Sequence, residues 1–185
     1  MKLIIIPVCI VLLLSSCTKD RDVTYLSKVT DTITIYAGIL KINEFVAKGS
    51  TFINEYGNTS DWFELFNTTS KTINISNGRW YVTDDLTNQR KYEMPSVQIA
   101  PYGFLIVCCD GLNKVGQQIH TNFGLSASGE QIGIYFVNPD LSLLAVDTLT
   151  YPEMTDKGYS YGRLPDGTEN WTFFAQPTPG KPNHY

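Results

Sequence analysis

The chain has 185 residues and a formal net charge of −4, from 14 Lys and Arg against 18 Asp and Glu. This mildly acidic balance supplies no basic excess for a phosphate backbone, so it disfavours nucleic acid as a partner. Aromatic residues make up 12% of the chain and charged residues 17%, a composition that favours a β-rich extracellular domain over a helical one.

The N-terminus has the features of a secretory signal over residues 1–16. Lys2 precedes an apolar run that is too short to span a bilayer. The small residues before Cys17 resemble a bacterial lipoprotein lipobox, in which the Cys is lipidated and becomes the mature N-terminus. An ordinary signal peptide cleaved nearby and a retained short anchor are the alternatives. We predict lipidation at Cys17, because acyl chains that contribute about 0.8 kcal/mol per buried CH₂ hold a protein on a lipid bilayer without a transmembrane helix.

Residues 17–37 are predicted to form a tether and an N-terminal arm. The charged run directly after Cys17 is typical of a solvated linker, and in some Gram-negative lipoproteins such a run directs export to the outer surface. We therefore predict a lipid-anchored envelope protein of the outer membrane, with surface exposure as a hypothesis. Within the arm, the alternating segment at 32–38 is expected to be an extended arm or a strand.

Short β-branched and aromatic segments separated by turn residues follow, and together they predict one domain over 38–183. The Asn77-Gly78 dipeptide is a strong hairpin signal, because both residues tolerate positive φ. The predicted strands in chain order are 39–47, 61–67, 71–76, 79–85, 90–94, 97–100, 104–109, 130–137, 141–151, 160–164 and 170–174.

This spacing of strands predicts an all-β fold, an immunoglobulin-like β-sandwich. The Cys–Trp–Cys signature of antibody domains is missing, so no inter-sheet disulfide is predicted. Cys108 and Cys109 are neighbours in an apolar run, and side chains alternate along a strand. We expect the two thiols to be packed on opposite sides of the sheet.

Eight blocks of the sequence, in order and spacing, resemble the lamin tail domain family. They are INEF (42–45), DWFELFN (61–67), INISNGRWYVTDD (73–85), IAPYGFLIVCCDG (99–111), HTNFGLSASGEQIGIY (120–135), DTLTYP (147–152), YSYGRLPDG (159–167) and PTPGKPN (177–183). The resemblance implies a lamin-tail-like sandwich that serves as an interaction module, without a catalytic role. It covers nearly the whole mature chain, so the chain has no room for the hydrolase domains that often accompany this family.

The block at 120–135 also resembles a hydrolase nucleophile loop, with Ser126 and Ser128 near Gly residues and His120 upstream. A nucleophile elbow requires G-x-S-x-G and a following helix, whereas a Ser occupies the position of the second Gly and a strand pattern follows. We predict a turn in which the two hydroxyls bind local backbone, and no catalytic residues.

Metal-binding patterns are weak in this sequence. Two His and two adjacent Cys do not make a zinc site with four nitrogen or sulfur ligands, so no metal or other cofactor is predicted. The loop at 83–88 concentrates the oxygen ligands of Asp84, Asp85 and Asn88, which makes these residues weak candidates for calcium.

Two acids lie inside apolar strands, Glu44 and Glu64. A buried acid needs partners, and Arg79 or Arg163 could supply them. The alternative that we favour is a solvated strand face.

The aromatic residues are the remaining binding candidates, since exposed aromatic side chains bind sugars and protein partners. Trp62, Trp80 and Tyr102 are the weak candidates for partner binding, although most Trp residues are expected in the core.

These observations favour a membrane-anchored, non-catalytic binding or scaffold module at the cell envelope that engages a protein or a polysaccharide. The alternative is an envelope hydrolase of phosphoesters or glycans with an unrecognised acidic site. The two hypotheses differ in structure, because an enzyme needs acids or His120 to converge in a pocket.

Overall fold

A computed structural model describes residues 33–185, which contain thirteen β-strands and no helix. The strands are β1 (Leu40–Val46), β2 (Asp61–Asn67), β3 (Ile73–Ile75), β4 (Trp80–Thr83), β5 (Tyr92–Glu93), β6 (Val97–Ile99), β7 (Phe104–Cys109), β8 (Lys114–Val115), β9 (Ile119–His120), β10 (Glu130–Val137), β11 (Leu143–Tyr151), β12 (Ser160–Arg163) and β13 (Trp171–Phe174). The predicted all-β fold is therefore confirmed. Cys17 and the signal segment lie outside the described residues.

The strands form a seven-stranded sheet in the order β13-β12-β1-β2-β7-β9-β8 and a four-stranded sheet in the order β11-β10-β4-β5. A small ribbon of β3 and β6 accompanies them. Neighbouring strands are antiparallel except β7 and β9. Neither large sheet closes into a barrel, and the two pack as a sandwich.

One hydrophobic core joins the two sheets. Phe63 and Val107 of the large sheet belong to the same buried cluster as Trp80, Ile132 and Ile134 of the small sheet. Alternation of side chains along each strand explains the pattern, because one face of each strand enters this core. Cys109 lies in the core, whereas Cys108 contacts Gln118 outside it, and both are free thiols.

Most predicted strands match those of the structure, and three begin and end at the predicted residues: β2, β7 and β10. The prediction missed β8 and β9, two-residue strands within the segment predicted as a loop after β7. Such short strands carry no sequence period, so only pairing with a neighbour reveals them. The described part of the arm, 33–38, contains no strand, although Ile33 and Ile35 pack against the core.

A β-bulge in β1 places two consecutive polar residues where they can meet the same neighbours. Ile42 pairs with Leu65 and Glu44 pairs with Glu64, so Asn43 is an extra residue in β1. The bulge interrupts the alternation of side chains. As a result, the side chains of Asn43 and Glu44 both join the buried polar network described below.

Within residues 33–185 no helix has the length and apolar character needed to cross a membrane.

Candidate functional site

The edge of the large sheet carries a row of aromatic side chains on β12 and β13. Tyr161 lies between Trp171 and Phe173, with ring centroids 5.1 Å and 4.6 Å away. Tyr161 pairs with Phe173, and Trp171 lies two positions before Phe173, so the three side chains share one face of the strand pair. Tyr161 also contacts Phe45 of the core at 6.0 Å, so the row continues the sandwich core outward.

This row is incompletely covered by the second sheet. The backbone of β1 lies close to β10 and β11, and β12 and β13 lie beyond β1 toward the edge of the large sheet. Tyr161 and Trp171 are consequently half-buried, and Phe173 is 43% exposed. An apolar surface of this kind is typical of an interaction site.

A groove of about 360 Å³ runs along the same edge, between β13 and the C-terminus. Phe173, Phe174 and Tyr185 contribute aromatic walls to it, and Tyr185 is 88% exposed. Tyr161, Trp171, Phe173 and Tyr185 are called the β13 surface from here on. Among the described residues β13 pairs only with β12, so its other edge is free.

The ring of Trp171 is occupied by internal contacts. The guanidinium carbon of Arg163 lies 4.5 Å from the centroid of the indole, and Tyr161 stacks on it at an angle of 22°. Because stacking of a sugar needs an open aromatic face, these contacts disfavour a sugar on the ring of Trp171.

Glu44 and Glu64 are fully buried on the other face of the large sheet, so the predicted solvated strand face is wrong. The C-terminal tail covers both acids. Glu44 accepts hydrogen bonds from the backbone N–H and the hydroxyl of Thr178, at 3.0 Å each. Glu64 accepts one from the N–H of Gly180 at 2.6 Å. Neither Arg79 nor Arg163 pairs with these acids; Arg163 pairs with Asp147 and Glu169 instead.

Burial raises the pKa of Glu64 to about 8 and also raises the pKa of Glu44. The tail hydrogen bonds act in the opposite direction but are outweighed by desolvation. Ser160 donates a further hydrogen bond to Glu44 at 2.5 Å. A glycoside hydrolase needs two carboxyl groups on either side of an open cleft. Glu44 and Glu64 do not meet this requirement, because the tail covers both.

Two of the weak aromatic candidates, Trp62 and Trp80, are buried, as expected for most Trp residues. Trp62 and Trp80 are each 1% exposed, so neither can form a binding platform. Trp80 fills the sandwich core, and Trp62 lies beside Phe52 at 6.0 Å. Tyr102 is 58% exposed, in a turn where its φ is 51°. The sequence could not separate these cases, because indole rings suit cores and surfaces alike.

The calcium candidates have partners within the chain. Asp84 pairs with the ammonium group of Lys91 at 2.5 Å, and the carboxylate of Asp85 accepts hydrogen bonds from the backbone N–H and hydroxyl of Thr87. Asn88 is exposed. A cation in this loop would have to compete with Lys91, so the structure offers the calcium hypothesis no support.

The turn predicted around Ser126 and Ser128 is present, and the predicted local backbone contact is found for the hydroxyl of Ser126. The hydroxyl oxygen of Ser126 accepts a hydrogen bond from the N–H of Ser128, and Gly129 has a φ of 95°. A Cβ at Gly129 would lie 3.0 Å from the carbonyl oxygen of Tyr151, so the turn requires glycine on both counts.

His120, at the start of the same block, contacts two acids from different loops. Its Nδ1 lies 2.7 Å from Asp110 and its Nε2 lies 3.4 Å from Glu55. The sequence did not suggest this cluster, because Glu55 is 65 positions away from His120 along the chain. The one available signal was a His within a hydrophobic block, which requires polar partners when buried.

Comparison with protein-family models and with curated proteins found no match.

Proposed function

We propose that this protein is a lipid-anchored, non-catalytic binding module of the cell envelope, similar to lamin tail domains, that engages a protein partner at the β13 surface. The observation that supports it best is the half-covered aromatic row on β12 and β13. Two observations support the likeness to the family: the eight sequence blocks between 42 and 183, which follow the order of the family, and the sandwich fold.

The free edge of β13 indicates the mode of binding. An extended segment of a partner can add to an open strand edge through main-chain hydrogen bonds, while pockets beside the edge accept its side chains. Here Phe173 lies on one side of the edge and Tyr185 on the other, with the groove between them. The partner is therefore a protein that presents an extended, apolar segment.

Site-specific photocrosslinking in intact cells tests this proposal. A photoreactive phenylalanine analogue is placed at Phe173 in the full chain, and the control carries it at Tyr102, which is exposed to a similar degree (58% against 43%). We expect a discrete protein adduct from position 173 alone, reduced by Trp171→Ser. No adduct, or the same adduct from both positions, would overturn the proposal. A glycosidase-sensitive adduct would overturn it in favour of a polysaccharide partner.

The anchor is tested separately through Cys17. Cys17→Ser should abolish incorporation of labelled fatty acid and move the chain from the membrane fraction to the soluble fraction. Ser16→Ala serves as the control, because a small residue is retained before the Cys. Protease treatment of intact cells then reports which side of the membrane the domain faces.

A further inference from the structure

We propose that Glu55, Cys108 and His120 form a binding site for a divalent transition metal of the zinc class, with Asp110 orienting the imidazole. The three ligands come from the loop before β2, the end of β7 and β9. This site is separate from the β13 surface and does not depend on the proposed binding function.

The first observation is a pair of buried polar atoms that face each other without a hydrogen-bond partner. His120 is fully buried, and its Nε2 has no hydrogen bond. Oε1 of Glu55 is also buried and without one. The two atoms lie 3.4 Å apart, within ion-pair distance but without the geometry of a hydrogen bond. Buried polar atoms in this state require an explanation.

The second observation is the hydrogen bond on the other side of the ring. Oδ2 of Asp110 lies 2.7 Å from Nδ1 of His120. If Nδ1–H of a neutral imidazole donates to Asp110, the lone pair of Nε2 is directed toward Glu55. A carboxylate on the far nitrogen of a metal-binding imidazole is the usual second partner of such a ligand.

The separation of the two facing atoms suits a metal ion. Ligand atoms about 2.0–2.1 Å from a tetrahedral zinc ion lie about 3.3–3.4 Å from each other. A cation between Nε2 and Oε1 would also replace the repulsion of two lone pairs with two coordinate bonds.

A thiol lies near the same imidazole, and we propose it as the third donor. The sulfur of Cys108, a carboxylate oxygen of Asp110 and a ring nitrogen of His120 are all within 4.8 Å of one another. Coordination by nitrogen, oxygen and sulfur together is typical of zinc and its neighbours and not of calcium or magnesium. Three protein ligands would leave a fourth position for water.

The surroundings hold Glu55 in place, and its side chain is 11% exposed. The second oxygen of Glu55 accepts the N–H of Gln117 at 2.6 Å. A Cβ at Gly116 would lie 2.0 Å from Oε1, so glycine is required there for the carboxylate to approach. The ring of Tyr56 lies against His120 at 5.1 Å and is 48% exposed, which offers a route of entry.

Titration of Zn²⁺ into the metal-stripped full chain in detergent tests the proposal. We expect one equivalent to bind, with affinity reduced at least tenfold in Glu55→Gln and His120→Gln. The matched controls are Glu153→Gln and His184→Gln, which change exposed residues and should bind as the parent does. Gly116→Ala should weaken binding by a similar factor, although it removes no ligand.

Cobalt substitution of the unaltered chain provides a readout that does not rely on any variant. Bound Co²⁺ should show the visible bands of a four-coordinate ion and a near-ultraviolet charge-transfer band from thiolate, and Cys108→Ser should remove the latter. Absence of binding to the unaltered chain, or equal affinity in Glu55→Gln, Gly116→Ala and the controls, would overturn the site. A cobalt spectrum without the thiolate band would overturn the role of Cys108.

Discussion

Arg163 of β12 donates a hydrogen bond to the carboxylate of Asp147 on β11 at 3.0 Å, and this pair joins the two sheets. Both partners also bind the bulged strand β1, since Arg163 donates to the carbonyl of Ile42 and Asp147 accepts its N–H. Arg163 is only 1% exposed. The Arg163–Asp147 pair thus supplies hydrogen bonds to the backbone of Ile42 beside the bulge, in place of a neighbouring strand.

Removal of Arg163 should therefore destabilise the domain severely. Arg163→Ala leaves Asp147 without its guanidinium partner and the carbonyl of Ile42 without its donor, for a loss of about 3–5 kcal/mol in the free energy of unfolding. Urea denaturation monitored by Trp fluorescence measures it. Glu169→Gln removes an ion pair of the same arginine in which Glu169 is 77% exposed, and it should cost less than about 1 kcal/mol. Equal effects of both changes would contradict this account.

The stability of the domain should fall as the pH rises from about 5 to 8. The folded-state pKa of Glu64 is about 8 against an ordinary value of 4.5, so the folded protein holds more protons than the unfolded chain within that window. Its contribution is fully present below the unfolded pKa and is lost as the pH rises through the folded pKa. One such proton changes the free energy of unfolding by at most about 1.4 kcal/mol per pH unit.

Glu64→Gln should flatten this dependence between pH 6 and 8, since it keeps the shape of the side chain without the titration. Burial also raises the pKa of Asp61, to about 6, so a slope should persist at lower pH. Urea denaturation across the pH range measures the slope attributed to Glu64 and the slope attributed to Asp61. The exposed Glu153→Gln is the control, and a slope unchanged in Glu64→Gln would refute the assignment.

Thr178 should hold the C-terminal tail on the sheet. Its hydroxyl donates to Glu44 at 3.0 Å and lies 2.7 Å from the amide oxygen of Asn183. Thr178→Ala leaves a buried carboxylate short of a donor, so it should cost about 1–3 kcal/mol. It should also increase proteolysis of the tail. The exposed Thr51→Ala should change stability by less than about 0.5 kcal/mol.

Trp62 and Tyr102 should differ in their contribution to the free energy of unfolding, although the sequence made both of them candidates for partner binding. Trp62→Ala removes a buried indole and should cost about 3–5 kcal/mol, whereas Tyr102→Ala changes an exposed side chain and should stay within about 0.5 kcal/mol. Thermal unfolding compares them directly. Loss of partner binding without loss of stability in Trp62→Ala would contradict the burial found here.

Alternation of apolar residues predicted most of the strands, because that signal lies within a few residues of chain. The ends of β2, β7 and β10 follow from the sequence for that reason, as does the turn at Ser126. The hairpin predicted at Asn77-Gly78 is wrong, since β3 pairs with β6 whereas β4 pairs with β5 and β10. The sequence also indicated that Glu44 and Glu64 were unusual, since each interrupts an apolar strand.

Only the tertiary structure decided how those acids are satisfied and which aromatic residues remain exposed. The tail residues that donate to Glu44 and Glu64 are more than a hundred positions away along the chain, and Glu55 reaches His120 from a different loop. Burial of Trp62 and exposure of Phe173 depend on what packs over each strand face. Such contacts join distant parts of the chain, and no local pattern of residues encodes them.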